Sequence, residues 1–253
     1  MLKVCNLTAG YGGADVIKGV SFEMAQGKTL AIIGPNGCGK TTLLRAIAGL
    51  IKYSGEICVG GINIAGMKPR QMAGKLAMLG QLQEISFGYS VYDTVMMGRY
   101  HHISGFLSSP SEADKKIVEM CLHTLSLDNI SEKMINTLSG GQLQRVFLAR
   151  TMAQNPDVIL LDEPTNHLDL KHQFSLIDHL KNWAATENKT IIGVLHDINL
   201  ARYLTDDIML MNDGRIAAAG CVDDVLNSAV LQEVYEMDIP KTMQNLLSAW
   251  QVQ

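Results

Sequence analysis

Gly34-Pro35-Asn36-Gly37-Cys38-Gly39-Lys40-Thr41-Thr42 decides the fold. The stretch fits the spacing G-x-x-x-x-G-K-[ST]. Its glycines let the backbone turn tightly and aim successive N–H groups inward at one anion. The residues before it, from Gly27 to Ile33, are a short apolar, β-branched run of the kind buried in a sheet. Leu43 to Leu50, just after it, predict a helix whose N-terminus adds a favourable dipole at the same anion. Strand, glycine loop and helix in that order form a cradle for a nucleotide's phosphates. In such a cradle Lys40 is placed to reach the β- and γ-phosphates, and the Thr41 hydroxyl to ligate Mg²⁺.

A second apolar run, Val158-Ile159-Leu160-Leu161, ends in Asp162-Glu163-Pro164. Ligands of open α/β sheets sit at the carboxyl ends of the strands. Asp162 is therefore placed to hold Mg²⁺ through water, and Glu163 to orient or deprotonate an attacking water. A glutamate there, rather than a neutral residue, argues for hydrolysis over passive nucleotide binding.

Between these two motifs lies Leu138-Ser139-Gly140-Gly141-Gln142, about twenty residues before the acidic strand end. It opens a predicted helix over Gly141 to Ala153, with Ser139 as its N-cap. With the three motifs in this order, the chain resembles the ATPases of ABC transporters over nearly its whole length. The resemblance implies an α/β fold: a P-loop NTPase core with an antiparallel β subdomain and an inserted helical subdomain. It also implies ATP and Mg²⁺ as cofactors. Ser139, Gly140, Gly141 and Gln142 would face the ATP held by a second copy of the chain. Tyr11 resembles the aromatic that stacks on adenine. Gln81 resembles the glutamine that senses Mg²⁺ and γ-phosphate. Asp169, in Asn166-His167-Leu168-Asp169, resembles the loop that meets the opposite subunit. His196, in Leu195-His196-Asp197, resembles the switch histidine at the γ-phosphate. The nucleotide set implied is thus Tyr11, Gly34 to Thr42, Gln81, Ser139 to Gln142, Asp162 and Asp169, with Lys40, Gln81, Glu163 and His196 catalytic and Thr41, Gln81 and Asp162 at the metal. Two positions depart from the family pattern: Gly80 stands where proline is usual, and Leu143 where a polar residue is usual. Both bear on coupling rather than hydrolysis.

A finer resemblance is to ATPases that power importers of iron-siderophore, haem, cobalamin or related metal chelates. It is carried by Ser90 to Arg99, by Ser111-Glu112-Ala113-Asp114 and by Leu195 to Ala201. The partners implied are a second ATPase subunit, two transmembrane permease subunits and, indirectly, a substrate-binding protein. A molybdate-type oxyanion importer and a non-transport cytosolic ABC ATPase, in cofactor assembly or mechanical signalling, are the alternatives. A DNA-repair ATPase with these motifs would carry long heptad repeats between phosphate loop and signature, and the sequence shows none.

Composition agrees. Of 253 residues 47% are hydrophobic, enough for one α/β domain with a substantial core. No apolar run approaches a membrane span, and the N-terminus has no apolar signal segment, so a place on the cytoplasmic face of the cell membrane, held peripherally, is expected. Net charge is −4, from 21 basic and 25 acidic residues without a basic cluster, which argues against nucleic-acid binding. The five cysteines lack metal spacing and read as reduced small hydrophobes. Cys38, in the loop, is expected to be alkylated when the loop is empty. His101-His102 reads as part of a solvated loop.

The chain is expected to be one ABC ATPase domain over 1–253, with an α/β core at about 1–83 and 156–253 and a helical subdomain at about 84–155. Strands are predicted at Leu2 to Thr8, Val16 to Met24, Gly55 to Val59, Leu76 to Leu79, 157–162 and 190–195, with a further pair about Asp213-Gly214. Lys68 to Lys75 reads as a short helix. A helix starting at Ser111 is predicted to bury Ile117, Met120, Cys121 and Leu125, and one over 170–185 to bury Phe174, Ile177, Leu180 and Trp183. No further C-terminal regulatory domain is expected.

Overall fold

The computed structural model describes residues 1–80, 88–103, 109–166, 168–205 and 207–248. Strands β1 (Leu2–Tyr11) and β2 (Ala14–Met24) form a hairpin turned at Gly12-Gly13. Strand β3 (Thr29–Ile33) feeds the phosphate loop and then helix α1 (Lys40–Ile47). After β4 (Tyr53–Val59), β5 (Ile62–Asn63) and the short α2 (Pro69–Ala73) comes β6 (Leu76–Leu79). Helices α3 (Val91–Met96), α4 (Glu112–Thr124) and α5 (Gly140–Ala153) follow. Strand and helix then alternate through β7 (Val158–Asp162), α6 (Leu170–Glu187), β8 (Thr190–Val194), α7 (Ile198–Leu204) and β9 (Asp207–Asn212). Strand β10 (Arg215–Cys221) and helices α8 (Val222–Leu226), α9 (Ala229–Tyr235) and α10 (Ile239–Ser248) complete the described chain.

Two sheets result. One is four-stranded and antiparallel, in the order β2-β1-β4-β5. The other has the order β10-β9-β3-β8-β7-β6 and is parallel except at β10. Side chains of a strand alternate between faces, and β3 uses both. Leu30 and Ile32 pack toward α1 and the antiparallel sheet, while Ala31 and Ile33 pack toward the opposite helical layer. A parallel sheet covered on both faces should read as an unbroken apolar run, and β3, β7 and β8 do so. The register sets Ile32 beside Val194 and Asp162 beside Val194, so β3, β7 and β8 end at one edge. The phosphate loop, Asp162-Glu163 and His196 leave the sheet at that edge.

The α4 face is rotated from the one predicted. Val118, Cys121, Leu122 and Leu125 are buried, whereas Met120 is 53% exposed and Ile117 only borders the core. On α6, Ile177, Leu180 and Trp183 are buried as expected, but Phe174 is 39% exposed and stands edge-on to Tyr203 at 5.3 Å. Leu176 and Ala184 take the burial assigned to Phe174. Helix α1 starts at Lys40 and ends at Ile47, before the predicted Leu50. His101 does not belong to a freely solvated loop. Its ring is half-buried, Nδ1 lies 3.2 Å from the Gly98 carbonyl, and Nε2 faces Gly74.

Candidate nucleotide site

The phosphate loop is built against β9 and α1. Gly34 has φ 147°, and a Cβ there would come within 2.3 Å of the Met211 carbonyl oxygen, so no other residue fits. Lys40 is 5% exposed, and its Nζ donates to the carbonyls of Gly34 and Pro35 at 2.8 Å each. Its ammonium therefore rests on the loop's own oxygens, where an arriving phosphate can take it over. Cys38 is also buried, 3.9 Å from Lys40 Nζ, and burial pushes its thiol pKa up. Both effects slow alkylation in the empty loop relative to an exposed thiol, because the thiolate is the reactive form.

At the end of β7, Asp162 Oδ1 accepts from the Thr41 hydroxyl at 2.9 Å. Its Oδ2 is buried without a partner. Burial raises the Asp162 pKa, the Thr41 hydrogen bond opposes the rise, and the neighbouring Glu163 charge adds to it. A buried carboxylate oxygen with nothing to bond is an unusual cost. Hard oxygens from one carboxylate and one hydroxyl suit Mg²⁺, which keeps several waters and binds substrate phosphates alongside one or two protein groups. Among the described residues no group of three His, Cys, Asp or Glu could hold a metal by itself. A cation here would depend on the nucleotide for its remaining ligands.

Glu163 adopts a left-handed backbone, φ 55°, with its N–H donating to the Val194 carbonyl at 3.1 Å. A non-glycine residue held so costs on the order of 1 kcal/mol or more, and such strain gathers at working sites. The turn aims its carboxylate back over the loop, where Oε1 meets His196 Nε2 and Oε2 meets the Asn166 amide. His196 is presented by the turn between β8 and α7. Asp197 fixes that turn by accepting from the N–H groups of Asn199 at 2.7 Å and Leu200 at 3.3 Å.

A cavity of about 180 Å³ joins these groups, lined by Asn36, Gly37, Gly39 to Thr42, Glu163 and His196. Val16 closes one side, a residue that sequence reasoning missed because a valine advertises no chemistry. Tyr11 lies outside this lining, 48% exposed at the end of β1, and its hydroxyl accepts from Arg45 of α1 at 3.3 Å. A larger cavity of about 420 Å³ lies at the opposite, N-terminal ends of β3 and β9, between Met24, Thr29 and Asp207. That is the wrong end of the strands for a phosphate site.

The signature residues stand apart. Ser139 Oγ accepts from the Gln142 N–H at 3.4 Å and Gln142 Oε1 from the Ser139 N–H at 3.1 Å, a reciprocal cap on α5. Ser139, Gly141 and Gln142 line a separate cavity of about 220 Å³ with Arg145, Leu168, Asp169 and His172. Gly140 begins α5 beside it. Asp169 caps α6, accepting from the His172 N–H at 2.9 Å and from His172 Nδ1 at 2.7 Å, and these two bonds lower its pKa in that order. The D-x-x-H spacing on a helix start could have disclosed the His172 contact. Gln81 lies outside the described residues, as does His167.

Comparison with known proteins settles the lineage. Residues 17–166 match the family model described as ABC transporter. The chain belongs to the ABC transporter family. It is 38% identical over 241 residues to the petrobactin import ATP-binding protein YclP of Bacillus subtilis, covering 95% of this chain and 94% of that one. It is 35% identical over 244 residues to the hemin import ATP-binding protein HmuV of Mesorhizobium japonicum, covering 93% and 91%. Among solved structures it is similar to a metal-chelate type ABC transporter in an inward-facing conformation, at TM-score 0.80 and 30% identity over 93% of this chain and 88% of that one. It is also similar to a dimeric ATP-binding cassette in a post-hydrolysis state with ADP and phosphate, at TM-score 0.77 and 28% identity over 88% and 99%. The ABC protein described here is therefore a nucleotide-binding ATPase with the fold expected from its sequence.

Proposed function

We propose that this ATPase powers import of a metal chelate, of the siderophore or haem kind, as the nucleotide-binding half of a transporter. The observation that carries the reading is the separation of the two cavities. The phosphate-loop cavity and the Ser139 cavity share no lining residue. One chain thus holds two halves of different sites, and two copies placed head to tail supply each phosphate loop with the other's signature. A helix N-terminus capped by Ser139 is suited to a γ-phosphate arriving from the partner. Lys40 holds the phosphates, Thr41 and Asp162 hold Mg²⁺, Glu163 orients or deprotonates water, and His196 positions Glu163 and the γ-phosphate. Bound Mg²⁺ supplies charge neutralisation to the β- and γ-phosphates. Gly34 to Thr42 wrap the phosphates, with every residue but Pro35 offering a backbone N–H, Tyr11 stacks on the base, Gln81 senses the metal, and Gly140 to Gln142 with Asp169 line the partner-facing half.

Among the described residues no helix is long and apolar enough to cross a membrane. Transport therefore needs separate membrane subunits, with this chain held against them on the cytoplasmic face. The metal-chelate assignment draws on YclP and HmuV, whose names specify petrobactin and hemin import. The test is Glu163→Gln. The variant should accumulate as an ATP-bound dimer in size-exclusion chromatography, with turnover reduced by a factor of at least about a hundred. Normal hydrolysis by that variant would remove Glu163 from the mechanism. Radiolabelled ferric-siderophore and haem uptake in cells lacking the chain would then identify the cargo.

A further inference from the structure

The signature helix and the strand-end loop carrying Glu163 are joined inside one subunit. Gln144, two residues beyond the last signature residue on α5, is 5% exposed. Its Nε2 donates to the Pro164 carbonyl at 3.0 Å in a buried hydrogen bond. Pro164 follows Glu163, whose left-handed backbone sets the direction of its carboxylate. A second contact lies a few residues further along the loop. A Cβ on Gly141 would stand 3.2 Å from Leu168 Cδ2, so α5 and the loop approach as closely as side-chain atoms allow. From the other side the loop is held by Gln173 of α6, whose Nε2 donates to the Thr165 carbonyl at 3.2 Å.

We propose that Gln144 is a positioning residue that relays occupancy of the signature face to Glu163 of the same subunit. This rests on the two-site dimer proposed above. In that dimer the signature of one chain touches the nucleotide of the partner, while Glu163 of that chain serves its own nucleotide. A shift of α5 on contact with the partner's γ-phosphate is transmitted by the short buried bond to the Pro164 carbonyl. The Pro164 carbonyl lies one residue beyond the strained Glu163, and because the proline ring locks φ, a pull on that carbonyl moves Pro164 as a unit and shifts the Glu163–Pro164 peptide, re-aiming the carboxylate held by His196 and Asn166. The two sites then fire as a pair, without any group passing between subunits. Coupling of this kind travels through contiguous physical contacts, and the start of α5, the Gln144 amide and the Pro164 carbonyl beside Glu163 are contiguous.

The experiment is steady-state ATPase activity against ATP concentration for the full chain in its transporter, comparing wild type, Gln144→Met and Gln173→Met. Methionine keeps the length and volume of glutamine and removes the donor. The relay predicts a wild-type Hill coefficient approaching the number of sites, two. Gln144→Met should lower kcat about tenfold, leave KM for ATP within about twofold, and bring the Hill coefficient to about 1. Gln173→Met loosens the same loop from α6, so it should lower kcat yet keep the wild-type cooperativity. Fluorescent-nucleotide binding and melting temperature, measured in parallel, show that each variant is folded and loaded. Unchanged cooperativity in Gln144→Met overturns the relay, as does its equal loss in Gln173→Met. A wild-type enzyme that hydrolyses ATP without cooperativity also overturns it. Failure of the underlying dimer reading looks different: a Glu163→Gln chain that never dimerises with ATP.

Discussion

Replacing Asp114 by asparagine should unfold the helical layer well before the rest of the protein would ordinarily melt. Asp114 and Arg99 are 7% and 6% exposed. Oδ1 accepts from Arg99 Nε at 2.9 Å, and Oδ2 accepts from the Ser111 hydroxyl at 2.6 Å and the Ser111 N–H at 3.0 Å. Arg99 Nη1 also donates to the Ala153 carbonyl at 2.8 Å, so one guanidinium ties the start of α4 to the end of α5. The Ser111 bonds, opposed by burial and aided by Arg99, hold the Asp114 pKa down from 3.8 to about 2. At about 1.4 kcal/mol per unit, that depression corresponds to at most about 2.5 kcal/mol of stability, a ceiling because solvent reaches the edge of the pair. A depressed carboxylate pKa stabilises above the unfolded value near 3.8, and the contribution is lost as pH falls toward 2. Asp114→Asn keeps the shape and leaves the Arg99 cation buried without its counter-charge, at a cost of about 3–5 kcal/mol. At roughly 2–4 °C per kcal/mol for a chain of this size, the melting temperature should fall by about 6–20 °C. Arg99→Met combined with Asp114→Asn removes both charges and should recover much of the loss. The assay is thermal unfolding followed by circular dichroism, between pH 7 and pH 2.5. A single-variant loss below about 1 kcal/mol, or a double variant as weak as the sum of the singles, would refute the account. So would a gap between wild type and Asp114→Asn that fails to narrow as the pH is lowered.

Asp162→Asn should raise the melting temperature of the nucleotide-free protein at pH 7 while abolishing turnover. The folded pKa of Asp162 is raised by burial, so stability falls as pH rises through that value, and a neutral amide escapes the penalty. Mg-ATP should then stabilise the wild type and leave the variant little changed in differential scanning fluorimetry. Cys38 should lag behind the exposed Cys221 in alkylation by iodoacetamide at pH 8, even without nucleotide, when peptides are quantified by mass spectrometry. Equal rates would mean that the empty loop opens. Tyr11→Ala should raise the KM for ATP roughly tenfold, as expected for losing about 1–2 kcal/mol of base stacking, whereas Tyr11→Phe loses only the 3.3 Å Arg45 contact and should stay within about twofold. A tenfold effect of Phe would assign the role to the hydroxyl instead of the ring.

The site was legible wherever backbone geometry dictates residue type, and obscure wherever it does not. Gly34, Lys40, Thr41 and Asp162 announce themselves because a phosphate loop and a metal need those chemistries at fixed spacing. Their strands are legible for the same reason: β3, β7 and β8 are covered on both faces and must be apolar throughout. Phe174 and Met120 misled because helical periodicity locates an apolar stripe but leaves its phase open when apolar residues flank it, and neighbours such as Leu176 and Val118 took the burial. Val16 is an ordinary residue that the fold sets against the phosphate-loop cavity, so no local pattern could mark it. Gln144 is the instructive case. Its side chain reads as polar and solvated on any helical wheel, yet it is buried against the Pro164 carbonyl. A buried glutamine is retained when its amide satisfies a backbone group that nothing else can reach, since an unpaired carbonyl there would cost about 1–3 kcal/mol. The carbonyl in question belongs to the residue after Glu163, in a loop that cannot pair in the sheet because the strand has ended. The helix that opens with the signature residues thus completes the backbone beside Glu163, so in the proposed dimer the element facing one nucleotide is tied to the glutamate placed at another.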